Sequence, residues 1–469
     1  MTAPPEEVQP EKKRRKPERF VSLDAYRGFI MIMLAASGFG IYNMTRQPGD
    51  DASSAELAAW NARWNVWDKG QWEWVAHHFE HPHWESNFAW GNHVATEVAP
   101  WVRGCVSFWD LIQPAFMFMV GVAMPFSYAH RKQRGDSPVK MGWHAFLRAV
   151  VLTLMGVFLY SFGKERTAWI FPNVLAQIGL GYFFAYLLLD RPQWAQIVAF
   201  WTILIGTWGA FAIYEPKDYQ PDAVFASADK GEVFEGFFRH WNKNGNVATA
   251  IDDWFLQLLP QPLDRKGEVI PYAVNRGGYM TLNFVPSIAT TLLGIFCGQL
   301  LMSESDPRRK LLQLTGLAIA CLVLGVLAGA TCCPIVKRIW TPSWVLFSGG
   351  YVIAMLALFY LLFDILPLKK LAFPLTVVGM NSLAMYLMGQ MLRPWFTQNY
   401  MIHLGGPTKW LLGQLTMKLG YMQAIGATPE NVGEQTYLVY QPMVDHTAAF
   451  LVMWLLAYYM YRNKIHIRI

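Results

Sequence analysis

Residues 105–128 read CVSFWDLIQPAFMFMVGVAMPFSY, with one charged side chain, Asp110, near the start. About 20 apolar residues are what a helix needs to cross a bilayer. The carboxylate in such a run must be held by protein, because lipid offers it no partner. Runs of similar length recur, centred on 29–42, 146–162, 174–189, 197–214, 280–302, 311–330, 345–365, 373–396 and 447–461. The pattern predicts an all-α, polytopic helical bundle of ten transmembrane spans. An eleventh segment or a re-entrant helix fits in 408–426. No internal repeat or inverted pair of broken helices stands out, which weakens a reading as a secondary transporter.

Composition agrees with this reading. Of 469 residues, 54% are hydrophobic and only 15% charged, whereas a soluble chain is nearer a quarter charged. A water-facing particle, a disordered chain and a disulfide scaffold are all excluded. The net charge of +6 is too small to point to nucleic acid. Much of it sits in a basic run, Lys12, Lys13, Arg14, Arg15, Lys16 and Arg19, directly before the first apolar segment. Residues 1–21 read as a cytoplasmic basic tail and 22–469 as a single membrane domain. Ala35-Ala36-Ser37 has the form of a signal-peptidase site, but the charged start of the segment speaks against cleavage. The five cysteines lack CxxC or metal-ligand spacing and read as small core residues.

The connections after the second, fourth, sixth and eighth segments are short and basic, carrying Arg131, Lys132 and Arg134, then Arg191, then Arg308, Arg309 and Lys310, then Lys369 and Lys370. The positive-inside rule places them, with both termini, in the cytoplasm. Three long loops, 43–104, 215–279 and 397–446, then lie on the outer side of the membrane.

Polar residues inside apolar segments are candidates for function. Asp24 and Arg27 are three apart and share a helical face, so they either pair to fix a helix end or offer an arginine to a phosphate. Asp110 either caps its helix or orients a histidine. Gln177, Asn283, Asn381 and Ser382 either bond between helices or line a polar path. The first outer loop gathers His77, His78, His81, His83 and His93, together with eight of the 21 tryptophans. The tryptophans suit an interfacial belt or a sugar-stacking surface. For the histidines, general-base catalysis competes with interfacial scatter and with a zinc site that lacks any cysteine or HExxH support. The middle loop, with His240 to Asn244 and Asp252-Asp253-Trp254, is either a folded cap or a glycan surface.

Five blocks of residues resemble the heparan-alpha-glucosaminide N-acetyltransferase family of multispan enzymes. They are Ser22-Leu23-Asp24-Ala25-Tyr26-Arg27-Gly28; Phe108 to Gly121; Lys337, Trp340, Thr341 and Ser343; Gly379-Met380-Asn381-Ser382-Leu383 with Tyr386; and Tyr461 to Ile465. The resemblance implies transfer of acetyl from cytosolic acetyl-CoA to the amine of a glucosamine-type sugar, with no metal. It points to a catalytic histidine in the first outer loop, and Phe79-Glu80-His81-Pro82-His83-Trp84 fits that context. His81 stands further from Asp110 than the family spacing, which keeps His93 as the alternative. The family's fourth-span Gln-Arg pair appears here as Ala176-Gln177.

The resemblance thus implies His81 or His93 as base, Asp110 beside it, and Asn381 and Ser382 as oxyanion donors. Asp24, Arg27, Gln177 and Asn283 would hold the donor. The expected partners are the lipid bilayer and an amino sugar, without nucleic acid, and a homodimer is compatible. The alternative is a carrier that moves an amino sugar unmodified.

Overall fold

The structure, a computed structural model, describes residues 20–81, 84–86, 106–261, 266, 268–366 and 368–467. Its α-helices in chain order are α1 (Val21–Ala35), α2 (Ile41–Thr45), α3 (Ser54–Arg63), α4 (Lys69–His77), α5 (Phe108–Gln133), α6 (Pro138–Ser161), α7 (Val174–Leu189) and α8 (Gln193–Ile213). They continue as α9 (Val247–Gln257), α10 (Phe284–Met302), α11 (Pro307–Thr331), α12 (Pro342–Tyr360), α13 (Phe373–Met380), α14 (Ser382–Met391), α15 (Arg393–Leu419) and α16 (Val432–Arg462). The all-α expectation holds, with no strand among the described residues.

Helix starts are chemically marked. Ser107, Ser137, Asn173, Asp306 and Thr341 each accept a first-turn N–H, opening α5, α6, α7, α11 and α12. Each of these caps satisfies a donor that a helix leaves orphaned, and proline in the first turn of α6, α11 and α12 has no donor to lose.

The expected ten spans resolve differently. Seven helices among the described residues are long and apolar enough to cross a membrane, or nine if each of two bent pairs counts as one span. In the first pair, α1 bends by 47° into Ser37–Thr45, and in the second Lys369–Met380 bends by 68° into α14. Local causes are visible at both breaks. At the first, Gly38 and Gly40 adopt φ of 60° and 69°, and a side chain at Gly40 would strike the Pro442 carbonyl. At the second, Asn381 leaves the helical region with ψ of 39°. Helix α7 is apolar but has 16 residues, short of a full crossing. The 408–426 stretch falls in the second half of α15 and the turn after it, and α15 is not among the span candidates.

Burial sorts the bundle into layers. The apolar windows of α5, α10 and α12 are 67%, 72% and 67% buried, against 28%, 28%, 22% and 28% for α6, α8, α11 and α16. The outer helices present Leu154, Phe158, Ile205, Leu312, Ile319 and Leu327 to the surroundings. An apolar surface of that extent belongs in lipid, and the protein is an integral membrane protein. Glycine allows the closest helix approaches. A Cβ at Gly121 or Gly294 would collide with α10 or α5 backbone, and one at Gly28 or Gly379 with α13 or α1 backbone.

Gly294→Ala should therefore lower the melting temperature in detergent, at a cost of about 1–3 kcal/mol for overpacking. Gly206→Ala, where a Cβ meets nothing within 4 Å, should leave it unchanged. Equal melting of the two variants would contradict the close α5–α10 contact.

Candidate functional site

The site begins with the N-terminal turn of α5. Ser107 caps the helix through its Oγ, which accepts the Trp109 N–H at 3.1 Å and donates to the Glu80 carbonyl at 2.7 Å. The Trp109 N–H also reaches the His78 carbonyl at 3.0 Å. Residues 78–81 are thereby stitched to the helix start, and His81 lands beside Asp110. His81 Nδ1 lies 2.8 Å from Asp110 Oδ1.

A third group was not anticipated. Lys337 Nζ donates to the same Asp110 Oδ1 at 2.9 Å and lies 3.4 Å from His81 Nδ1. The Lys337 and Asp110 side chains are 4% and 5% exposed, whereas that of His81 is 45% exposed. Asp110 is the buried hub, and the imidazole is the member that a substrate can reach.

Lys337 sits in the turn between α11 and α12, and that turn is tightly specified. Trp340 takes φ of 50°, and its N–H bonds the Lys337 carbonyl at 2.9 Å. Thr341 Oγ1 accepts the Val336 N–H at 3.0 Å. Arg338 donates to the Gly277 carbonyl at 3.2 Å, and Asn283 Nδ2 donates to the Arg338 carbonyl at 2.7 Å. Ser86 N–H reaches the Ile335 carbonyl at 2.7 Å, joining the first loop to this turn. Trp84, 1% exposed, donates to the Trp241 carbonyl at 3.1 Å and packs under Gly278.

Electrostatics favour a neutral imidazole. Burial among protein groups pushes the His81 pKa below its ordinary 6.5; the Asp110 hydrogen bond pulls it up, and the charges of Lys337 and Arg338 push it down again. With Nδ1–H donated to Asp110, Nε2 carries the lone pair. That is the arrangement of a general base held by a carboxylate, and a nearby cation keeps it unprotonated.

The other expected site residues fall into two further groups. Gln177 Nε2 donates to the Phe171, Met280 and Thr281 carbonyls at 2.8, 3.4 and 3.3 Å, and so lies beside the segment that leads into Asn283. Asp24 and Arg27, 3.9 Å apart, lie at the opposite end of the bundle. There the N–H groups of Val21 and Ser22 bond to Asp364, at 3.0 and 3.2 Å. Asp364 follows α12 and Lys337 precedes it, so the 19 residues of that helix, roughly 28 Å, separate the two places. Asn381 Nδ2 donates to the Ile465 carbonyl at 3.1 Å, and Asn381 Oδ1 accepts the Ile467 N–H at 3.2 Å. Its bonds go to the C-terminal segment, not to the His81 cluster. Ser382 opens α14 next to it.

His83 and His93 lie outside the described residues. Among the described residues no three His, Cys, Asp or Glu side chains converge as a metal site. The middle loop folds as a cap, with Trp241 fully buried and Lys243 paired to Glu232 at 2.7 Å.

A polytopic helical membrane protein with a His–Asp–Lys cluster at one end of its bundle defines the class. The comparisons with known proteins narrow it. Residues 87–223 match the model of the heparan-alpha-glucosaminide N-acetyltransferase catalytic region. The chain is 24% identical over 332 residues to heparan-alpha-glucosaminide N-acetyltransferase of Mus musculus, covering 61% of this chain and 48% of the mouse protein. The Homo sapiens protein of that name is 23% identical over 328 residues, covering 59% and 46%. The chain spans about half the length of the curated relatives it matches. Over these stretches the chain is similar to the heparan-alpha-glucosaminide N-acetyltransferase family. The family-model match contains Asp110 and His93 and begins after His81.

Diethyl pyrocarbonate acylates only neutral imidazole, so its pH profile at His81, read by peptide mass spectrometry, reports that group's pKa. The midpoint should fall below 6.5 in the native protein. In Lys337→Met it should move to higher pH, because a cation that disfavours the imidazolium has gone. An unmoved midpoint would remove Lys337 from the account.

Proposed function

We propose that the chain is a transmembrane N-acetyltransferase that carries acetyl from acetyl-CoA to the amine of a glucosamine-type sugar, with His81 as the general base. The observation that carries the reading is the 2.8 Å contact between His81 Nδ1 and the buried Asp110 carboxylate. The family relationship supports acetyl transfer as the reaction class.

The amine lone pair attacks the thioester carbonyl, forming the C–N bond. Nε2 of His81 takes the amine proton, and Asp110 stabilises the imidazolium while it lasts. Collapse breaks the C–S bond, and the CoA thiolate leaves and recovers the proton. Lys337 holds Asp110 in place and keeps the resting histidine neutral. The phosphates of CoA bind at the Asp24–Arg27 end, in contact with the cytoplasm, and both termini lie on that side of a bacterial inner membrane. The pantetheine arm extends along the bundle, so that its amide N–H groups meet Gln177 and Asn283. Both of these residues carry a buried side-chain oxygen without a partner among the described residues. Asn381 and Ser382 serve the donor side of the bundle in this reading, since Asn381 is bonded to the C-terminal segment.

His93 is the second reading for the base, favoured by its place inside the family-model match. Purified protein with labelled acetyl-CoA and glucosamine tests both. His81→Ala should lower transfer by about 10²- to 10⁴-fold, the usual worth of a general base. Full activity in His81→Ala with loss in His93→Ala would transfer the role to His93. No labelled product, with glucosamine flux into vesicles, would replace the enzyme with a carrier.

A further inference from the structure

A cavity of about 510 Å³ lies beside the His81 cluster, bounded by the end of α6, the 164–172 loop, α9, residues 260–261 and residues 270–281. Its walls include Tyr160, Trp169, Tyr272 and Tyr279. Tyr279 is shared with the cluster, its ring centroid 6.3 Å from that of His81. Arg338, next in sequence to Lys337, bonds the carbonyl of Gly277, another wall residue.

Among the described residues one carboxylate lines this space. Asp252, on α9, is 2% exposed. Its Oδ2 accepts the Thr281 N–H at 2.9 Å, while Oδ1 has no hydrogen-bond partner among the described residues. The Thr281 hydroxyl also lies near this carboxylate, and a buried oxygen with no donor on it is costly and leaves room for one from a ligand. Burial also lifts the Asp252 carboxyl pKa to about 6, so the fold keeps the group at a cost near neutral pH. Lys164 and Arg276 line the same cavity. Two cations there disfavour an ammonium, and the fitting donors are neutral hydroxyls.

We infer that this cavity is the acceptor subsite and that Asp252 is its specificity-determining residue, accepting hydroxyl groups of a hexosamine whose ring stacks on the aromatic walls. The inference rests on the acetyltransferase reading for the identity of the sugar. Thr281, bonded to Asp252, and Tyr279, beside His81, are two residues apart through an extended Met280, roughly 7 Å of chain. Asp252 and His81 therefore flank one short segment of the cavity wall, and a sugar held by its hydroxyls at Asp252 would present its amine toward the His81 side. Flat apolar sugar faces suit tyrosine and tryptophan walls, and the volume is in the range of small-molecule sites.

The test uses the full chain in detergent and the product N-acetylglucosamine, whose binding needs no catalysis. Titration followed by tryptophan fluorescence compares the native protein with Asp252→Asn, Trp169→Leu and Asp253→Asn. Asp252→Asn keeps the shape and an acceptor for Thr281, and should weaken binding about ten-fold or more, as loss of a charged hydrogen bond does. Trp169→Leu should also weaken binding, by removing a stacking wall. Asp253 is the exposed neighbour, bonded to Gln257 at 2.8 Å, and Asp253→Asn should bind as the native protein does. In the transfer assay, Asp252→Asn should raise KM for glucosamine with kcat little changed. Unaltered binding in both Asp252→Asn and Trp169→Leu, or no binding by the native protein, overturns the subsite. A His81→Ala protein that still transfers acetyl refutes the base assignment and leaves the subsite standing.

Discussion

The buried Asp110 carboxylate is the constraint on which the His81 end of the bundle depends. Lipid would leave it unsolvated, and the chain answers with Lys337 and His81 on one oxygen, 2.9 and 2.8 Å away. Its place in the first turn of α5 adds the favourable end of the helix dipole. A buried carboxylate that loses its cation is left uncompensated, at a cost of about 3–5 kcal/mol. The first outer loop, the α11–α12 turn and the head of α5 are therefore fixed together by one charge. The same charge orients the imidazole, so stability and chemistry draw on a single arrangement.

The inner helices supply the rigidity this requires. Helices α5, α10 and α12 are mostly buried, and glycine contacts bring α5 against α10 at backbone distance. Asp110 heads α5, and Lys337 precedes α12. The segment that ends in α10 runs through Gly277, Tyr279 and Thr281, touching Arg338, His81 and Asp252 in turn. The three central helices thus present their starting ends to one place, roofed by the loops. At the other end Asp364 holds the start of α1, close to Asp24 and Arg27.

Much of this was legible in the sequence, for identifiable reasons. Long apolar runs report helices directly, and each of the ten segments contains helix. Their integrity was not legible, because the breaks at Ser37–Gly40 and Asn381 depend on backbone angles and on contacts with distant carbonyls. Asp110 stood out as a charge in an apolar run, and His81 through a loop crowded with histidine. Lys337 entered only through a block of resemblance, although a lysine on the side expected to be poor in positive charge runs against the bias read from the sequence. It is 227 residues from Asp110, beyond any local spacing rule. Asp252 lay in a stretch that suited either a cap or a glycan surface. Only the orphaned oxygen and the cavity beside it separate it from the buried, fully bonded Lys243–Glu232 pair in the same loop.

The central claim is that His81 and Asp110 act as one unit, and a double-mutant cycle on acetyl transfer tests it most directly. The measurement takes kcat/KM for the native protein, His81→Ala, Asp110→Asn and the double variant, with folding checked by melting temperature. Groups that act together are strongly non-additive. The account predicts that Asp110→Asn adds almost nothing once His81 is gone, so the double variant is as slow as His81→Ala alone. Losses that multiply through the cycle would contradict it, because Asp110 would then act independently of the histidine.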